Sequence, residues 1–362
     1  MGINTFNHTT VLKKETIENL LPTENLLTTL HKNNEKDLFF LDVTLGGAGH
    51  ALYLIDCFAK REELKNFTLN LIAIDRDPEA IAYAQELLNN KKNELKNFNF
   101  QIFHDNFMNT HELLSNHFPG QKFHGVYADL GVSSPQLDKS SRGFSFLQEG
   151  PVDMRMDSTQ SLNAKEVLLT YSEKELTRLF FDYGEEPKSK KLSHAIVMDR
   201  TNNTLPVENI KDLAAYIKRV LAYPPNSRTH PATRTFQALR IEVNNELESI
   251  ETFLNHIPEF IHNSGKVAFI SFHSLEDRLV KHAMRNWQKG KMAQEKKEEQ
   301  NDFNLPLHIQ LYLYDNKKVG FGKENPRGGI IPSEAEILSN TRARSARLRC
   351  FEFNRTQEET HV

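Results

Sequence analysis

Leu38-Phe39-Phe40-Leu41-Asp42-Val43-Thr44-Leu45-Gly46-Gly47-Ala48-Gly49-His50 packs a strand, a turn and a helix start into one short stretch. The apolar run has strand length and ends at an acid. Its glycines supply a turn, and a helical pattern continues to Phe58. Residues 69–74 repeat the buried strand type and end at Asp75. Asp77-Pro78 then offers an N-cap and a first-turn proline for a helix over 79–88. The unit is βαβ. Residues 98–103 and 123–130 read as third and fourth strands, so the first part of the chain predicts a parallel, doubly wound α/β sheet.

Beyond Pro135 the pattern changes. Residues 161–221 carry helical periodicities (Val167, Leu168, Leu176, Leu179, Phe180; Ile210, Leu213, Ile217, Val220) and no convincing strand, which predicts a helical insertion. One long helix over 233–255, with Phe236, Leu239, Val243, Leu247 and Ile250 on one face, leads back to a fifth strand over 266–272. Residues 288–301 are polar without an apolar face, and 307–314 alternate like a sixth strand. The expected organisation is a discontinuous α/β domain, residues 1–138 and 234–362, interrupted by a helical insertion at 139–233. No internal repeat is present.

The 362 residues carry 45 Lys+Arg against 48 Asp+Glu, a net charge of −3, which disfavours nonspecific coating of nucleic acid but leaves room for a local basic site. The charged fraction of 26% and mean hydropathy of −0.56 suit a soluble globular protein. No stretch approaches membrane-span length and the polar start has no signal-peptide apolar region, so no membrane partner and a cytoplasmic location are expected. Only Cys57 and Cys350 occur, far apart, which excludes a disulfide framework and a cysteine-based zinc module; no metal is expected.

In an open α/β sheet the ligand site lies beyond the carboxyl ends of the strands, near the first βα turn. A dinucleotide turn starting from Gly47 and Gly49 would want a third glycine at 52, where Leu52 stands. Asp42 adds an anion where a phosphate would sit, yet it suits a ligand with an ammonium group. Asp75, at the end of the next strand, is placed to accept both hydroxyls of a ribose. Together these favour S-adenosylmethionine over a nicotinamide dinucleotide. The blander alternative leaves the glycines as a tight turn and Asp75 as a helix cap.

Asp129-Leu130-Gly131-Val132-Ser133-Ser134-Pro135-Gln136-Leu137-Asp138 follows the fourth strand and should line the same cleft. An exocyclic amine on a base is a poor nucleophile, so a transferase must hold its N–H groups with oxygen acceptors, and Asp129 stands at the right strand end. Residues 228–240 hold three arginines, His230 and no acid, and Arg342, Arg344, Arg347 and Arg349 cluster in the tail. RNA phosphate is the natural partner of both patches, a solvated helix face the alternative. Ser271, His273, Ser274 and Asp277 are triad residue types without a nucleophile elbow, so His273 is read as a structural hydrogen-bonder or a base contact. Trp287 is read as packing more than base stacking.

These segments, with Asn7-His8-Thr9-Thr10-Val11-Leu12, Ala73-Ile74-Asp75-Arg76-Asp77-Pro78, Arg142-Gly143-Phe144-Ser145-Phe146, Gly150-Pro151-Val152-Asp153-Met154-Arg155-Met156-Asp157, His230-Pro231-Ala232-Thr233-Arg234-Thr235-Phe236-Gln237, Ser271-Phe272-His273-Ser274-Leu275-Glu276-Asp277-Arg278 and Arg342-Ala343-Arg344-Ser345, resemble the bacterial ribosomal RNA small subunit methyltransferase H family nearly end to end. The resemblance implies a Rossmann-like class I S-adenosylmethionine-dependent methyltransferase sheet with a helical insertion domain. It implies N4-methylation of one cytidine, 1402 in standard rRNA numbering, in the decoding region of 16S rRNA of the small ribosomal subunit. Carried over, the cofactor contacts are Ala48, Gly49, His50, Asp75, Phe107, Asp129 and Gln136. The residues themselves point to Asp129 as the catalytic group that orients the amine, with a role as cofactor ligand only the alternative, and to His230, Arg234 and Arg342 as substrate contacts. Two positions depart from the family. Ala48 stands where glycine is usual, so a backbone contact there requires a negative φ. Thr341 replaces a proline before Arg342. A homodimer stays open, as do two rival functions, a nucleotide-dependent oxidoreductase and a non-catalytic rRNA-binding assembly factor.

Overall fold

The computed structural model describes residues 10–224, 230–291 and 320–355. Asn7 to Thr9, Arg228, residues 292–301 of the polar 288–301 stretch and the expected sixth strand at 307–314 lie outside them. In chain order α1 (Lys13–Leu20) and α2 (Glu24–Lys32) precede β1 (Asp37–Asp42). Then α3 (Gly49–Lys60), β2 (Thr68–Asp75), α4 (Pro78–Glu94), β3 (Phe98–His104), α5 (Thr110–His117) and β4 (Phe123–Asp129) alternate. Helices α6 (Ser134–Asp138), α7 (Ala164–Thr170), α8 (Glu173–Asp182), α9 (Ser189–Thr201), α10 (Ile210–Leu221) and α11 (Thr233–Asn244) follow. The described chain ends with α12 (Glu246–Phe260), β5 (Ile261–Ser271), α13 (Ser274–Gln288), β6 (Gly322–Glu324), α14 (Glu334–Ser339) and β7 (Arg347–Phe353). None of its helices is long and apolar enough to cross a membrane.

Among the described residues two compact units form, one from residues 10–131 and from Glu248 onward, the other from Val132–Leu247. The first holds a seven-stranded sheet in the order β3-β2-β1-β4-β5-β7-β6. Strands β1 to β5 run parallel, while β7 is antiparallel to both β5 and β6. Strands β1, β2, β4 and β5 have two apolar faces over most of their length, as burial under helices on both sides demands. Leu38, Phe40, Leu69, Leu71 and Tyr127 share one core with Leu54 and Phe58 of α3 and Leu88 of α4. Leu41, Ile72, Val126 and Phe269 share the other with Leu114 of α5, Phe253 of α12 and Trp287 of α13. Burying each such side chain stabilises the fold by roughly 1.5–3 kcal/mol. Gly125 pairs with Phe40, and a Cβ there would come within 2.4 Å of the ring, so glycine is required for that packing.

The helical unit corrects the expected boundaries. The predicted helix over 233–255 is two helices, because Asn245 adopts φ 51° and closes α11 with a left-handed turn. Phe236, Leu239 and Val243 of α11 join Val167, Leu168, Leu176 and Phe180 in one core, so α11 belongs with the helical unit, not with the sheet domain that was expected to resume at 234. The buried Asn244 side chain fixes the adjoining loop, accepting from the Met156 amide at 2.7 Å and donating to the Met154 carbonyl at 2.8 Å. A periodic pattern marks which face is apolar but not which core receives it.

Candidate active site

Strand β1 lies between β2 and β4, and the connections leave it in opposite directions, which opens a crevice at the carboxyl ends. Asp42 ends β1, opposite Tyr127 of β4, and is 1% exposed. Its Oδ1 accepts the Thr44 amide at 3.1 Å. Burial, reinforced by the charge of Asp75, pushes its carboxyl up to about 7 against that hydrogen bond.

Asp75 ends β2 and organises the turn. Its Oδ2 accepts the Gly46 amide at 2.7 Å and its Oδ1 the Asp77 amide at 2.8 Å, while Asp77 caps α4 through the Glu79 amide at 3.0 Å. Each Asp75 oxygen retains a lone pair beyond these bonds. Burial raises the Asp75 carboxyl above its usual range. Asp75 therefore holds the glycine turn in shape.

Ala48 adopts φ 60° and ψ 20°, overturning the negative φ that its departure from glycine required. The turn dictates this conformation, because the Ala48 amide donates to the Leu45 carbonyl at 2.8 Å and the Ala48 carbonyl accepts the Leu52 amide at 2.8 Å. Its Cβ meets the left-handed penalty of roughly 1–2 kcal/mol. With that amide directed into the turn, position 48 shapes the loop from a fully buried place. Gly49 follows; a Cβ there would fall 1.9 Å from Thr10 Oγ1, so the Thr10 side chain occupies that space.

Asp129 ends β4 two residues after Tyr127, on the same sheet face as Asp42. Its amide donates to Thr44 Oγ1 at 2.7 Å, tying the end of β4 to the loop after β1. Its Oδ2 lies 4.0 Å from Nδ1 of the buried His50, while Oδ1 is buried with no hydrogen-bond partner among the described residues. Burial, then the charges of Asp42 and Glu276, hold this carboxyl well above the usual range. Sequence reasoning quoted Glu276 inside a motif but gave it no role. It is fully buried at the start of α13, where Oε2 accepts the Phe272 amide at 2.7 Å and the His273 amide at 3.2 Å. The capping-box spacing His273-x-x-Glu276 was the available signal. His273 caps α13, its Nδ1 accepting the Glu276 amide at 3.5 Å. Three buried acids and an imidazole thus converge in a place that favours a cation and offers an unfilled acceptor to an N–H.

The MraW methylase family matches residues 5–354. The chain is 38% identical over 351 residues, 96% of its length and 95% of the relative's, to ribosomal RNA small subunit methyltransferase H of Synechococcus elongatus. It is 39% identical over 350 residues, 96% of its length and 99% of the relative's, to the protein of that name from Clostridioides difficile. The chain belongs to the MraW methylase family. A solved rRNA methylase from Streptococcus thermophilus overlaps at TM-score 0.32 and 9% identity, covering 95% of this chain and 94% of that one, so the α/β assignment rests on strand order and register instead. S-adenosylmethionine is the methyl donor of the MraW methylase family.

In this MraW methylase Phe107 follows β3 and packs edge-to-face on Phe253, ring centroids 5.7 Å apart. Asn106 beside it donates to Ser249 Oγ at 3.0 Å. Gln136 lies in the helical unit, buried, with Oε1 accepting the Ser133 amide at 3.0 Å. There too, His230 stacks on Phe146 at 4.8 Å, and Arg234 is exposed on α11. In the sheet unit Arg342 is exposed. The arginine clusters are less uniform than the sequence suggested. Arg240 is held bidentately by Glu246 at 2.8 and 2.9 Å, and Arg349 is 5% exposed, bonded to Asp277 at 2.6 and 3.0 Å and to Glu324 at 2.6 Å. Trp287 is fully buried against Phe351 and Phe353, a packing residue.

Proposed function

We propose that the chain is an S-adenosylmethionine-dependent methyltransferase of 16S ribosomal RNA that methylates N4 of one cytidine in the decoding region, 1402 in standard rRNA numbering. The relatives' names support the rRNA substrate. The observation that carries the chemistry is the buried, unpartnered Oδ1 of Asp129 beside two further buried acids. S-adenosylmethionine, when bound, supplies an electrophilic methyl group on a cationic sulfur. The donor set fits it. Asp42 would face the ammonium, Asp75 the ribose through its remaining lone pairs, and Phe107 the adenine.

Cytosine N4 carries a lone pair delocalised into the ring and hidden in a paired, stacked base, so the target must be unpaired or flipped out. Asp129 accepts a hydrogen bond from the N4 amine, which turns the lone pair toward the methyl. Asp129 would take up the surplus proton that N4 sheds when the bound cofactor's methyl group is transferred to it from sulfur. Most of the acceleration comes from near-attack geometry and water exclusion. Arg234, His230 and Arg342 hold RNA, and the enzyme works in the cytoplasm. The acid at the end of β1 and the unsatisfied acceptor weigh against a dinucleotide oxidoreductase and against a fold that has lost its chemistry.

Mass spectrometry of 16S rRNA tests this. Cells lacking the gene should lose the methyl group on one decoding-region cytidine, and the wild-type gene should restore it where Asp129→Asn does not. Full methylation in the deletion strain sinks the proposal.

A further inference from the structure

Away from the carboxylate cluster, α5 and α12 bring two imidazoles and a carboxylate together. His111 Nε2 lies 2.8 Å from Glu259 Oε2, and His256 Nδ1 lies 3.0 Å from Glu259 Oε1. The two rings stack with centroids 4.4 Å apart at 28°, and one ligand atom from each residue falls within 4.8 Å of the others. His256 and Glu259 stand three residues apart on one helix face. Lys122 bonds the Glu259 backbone carbonyl, not its carboxylate, so both carboxylate oxygens face imidazole.

We propose that His111, His256 and Glu259 form a binding site for a divalent transition-metal ion, with zinc the best fit. Two imidazoles and a carboxylate favour zinc, copper or nickel over magnesium or calcium, and with one position left to water they make a recognised four-coordinate zinc set. Bonds of about 2.0–2.2 Å at tetrahedral angles separate ligand atoms by roughly 3.3 Å, so the two imidazole–carboxylate distances need to open by a few tenths of an ångström while the remaining ligand atoms, within 4.8 Å of one another, draw in.

The ion would act on a neighbouring loop. Ser249, Phe253 and His256 follow one another on a single stripe of α12, and the first two grip Asn106 and Phe107. A metal joining α5 to α12 closes the outer end of that stripe and stiffens the loop after β3. It touches no group assigned to methyl transfer.

Calorimetric titration of the metal-free full-length protein with zinc sulfate should show one saturable site. His111→Ala and Glu259→Gln should each weaken it at least about tenfold while leaving the metal-free melting temperature unchanged, because both residues are exposed. Copper(II) substituted into the wild type should show electron-spin coupling to two nitrogens, reduced to one in His111→Ala. Absence of saturable binding makes the trio a pair of ion pairs and overturns the site. Binding that both variants leave unchanged places the ion on other histidines and overturns it equally.

Discussion

The two ends of one sheet gather opposite kinds of titratable group. At the carboxyl ends stand Asp42, Asp129 and, beyond β5, Glu276, and burial raises the first two acids. At the amino ends stand His124 of β4 and His262 and Lys266 of β5, and burial lowers all three bases. The fold satisfies the amino end except at His124 Nε2, a buried donor with no partner among the described residues. His124 Nδ1 accepts the Phe39 amide at 3.1 Å, its ring stacks on His262 at 4.9 Å, and Lys266 donates to the Leu21 carbonyl at 2.8 Å. The carboxyl end keeps an unfilled acceptor on Asp129. Burying charge is unfavourable at either end, but only at the carboxyl end can a cationic, N–H-bearing ligand relieve it. That asymmetry separates a binding site from a packing solution in the same sheet.

The largest effect that could break this comparison is on rate. Asp129→Asn keeps the side-chain volume and removes the charge, and single-turnover methyl transfer at saturating cofactor should fall about 10²- to 10³-fold with cofactor affinity mostly spared. Transfer at the wild-type rate would leave Asp129 a cofactor ligand only.

Next in size are the pH limbs of stability, which should tilt in opposite senses. Asp42 ionises near 3.8 when unfolded and at about 7 when folded. Between those values the folded state holds the extra proton, so stability falls as pH rises from about 4 to 7. His124 moves the other way, from 6.5 to about 3, so the unfolded state holds the extra proton and stability falls as pH drops from about 6.5 to 3. Denaturant unfolding should show Asp42→Asn flattening the first limb and His124→Asn the second, by about 2 to 4 kcal/mol each. Added S-adenosylmethionine should stabilise the protein throughout by mass action and flatten only the Asp42 slope, because its ammonium favours the ionised carboxylate. An Asp42 slope that bound ligand leaves unchanged contradicts the placing of the ammonium beside Asp42.

Smaller still, Asp75→Ala should weaken cofactor binding by about 1 to 3 kcal/mol in calorimetry, through lost ribose acceptors and a loosened glycine turn. Wild-type affinity there would remove Asp75 from the site. Least of all, Lys266→Met at the amino end should shift stability by about 1 kcal/mol and leave cofactor affinity unaltered, since it removes one structural hydrogen bond. A change in affinity would mean that the two ends are coupled through β5.

The strands β1 to β5 were legible because each is a short apolar run bounded by turn residues, and Asp42, Asp75 and Asp129 were legible because they close such runs. Helices α1 and α2 escaped notice, and β7 was read as an arginine-rich tail. In Arg347-Leu348-Arg349-Cys350-Phe351-Glu352-Phe353 the alternation is present, but the arginines mask it as a basic patch. Only its place beside β5 shows that Arg349 serves Asp277 and Glu324.

Local sequence thus determined what needs only neighbours along the chain: strand and helix periods, the glycine turn, the helix caps and the acids at strand ends. Tertiary structure decided what needs partners distant in the chain. It assigned α11 to the helical core, held Ala48 in a left-handed turn through bonds to Leu45 and Leu52, and brought Glu276 within electrostatic reach of Asp129. Periodicity and capping are short-range steric and hydrogen-bonding effects written residue by residue. Burial of a charge depends on every chain segment that excludes water from it, and those segments meet only in the folded protein.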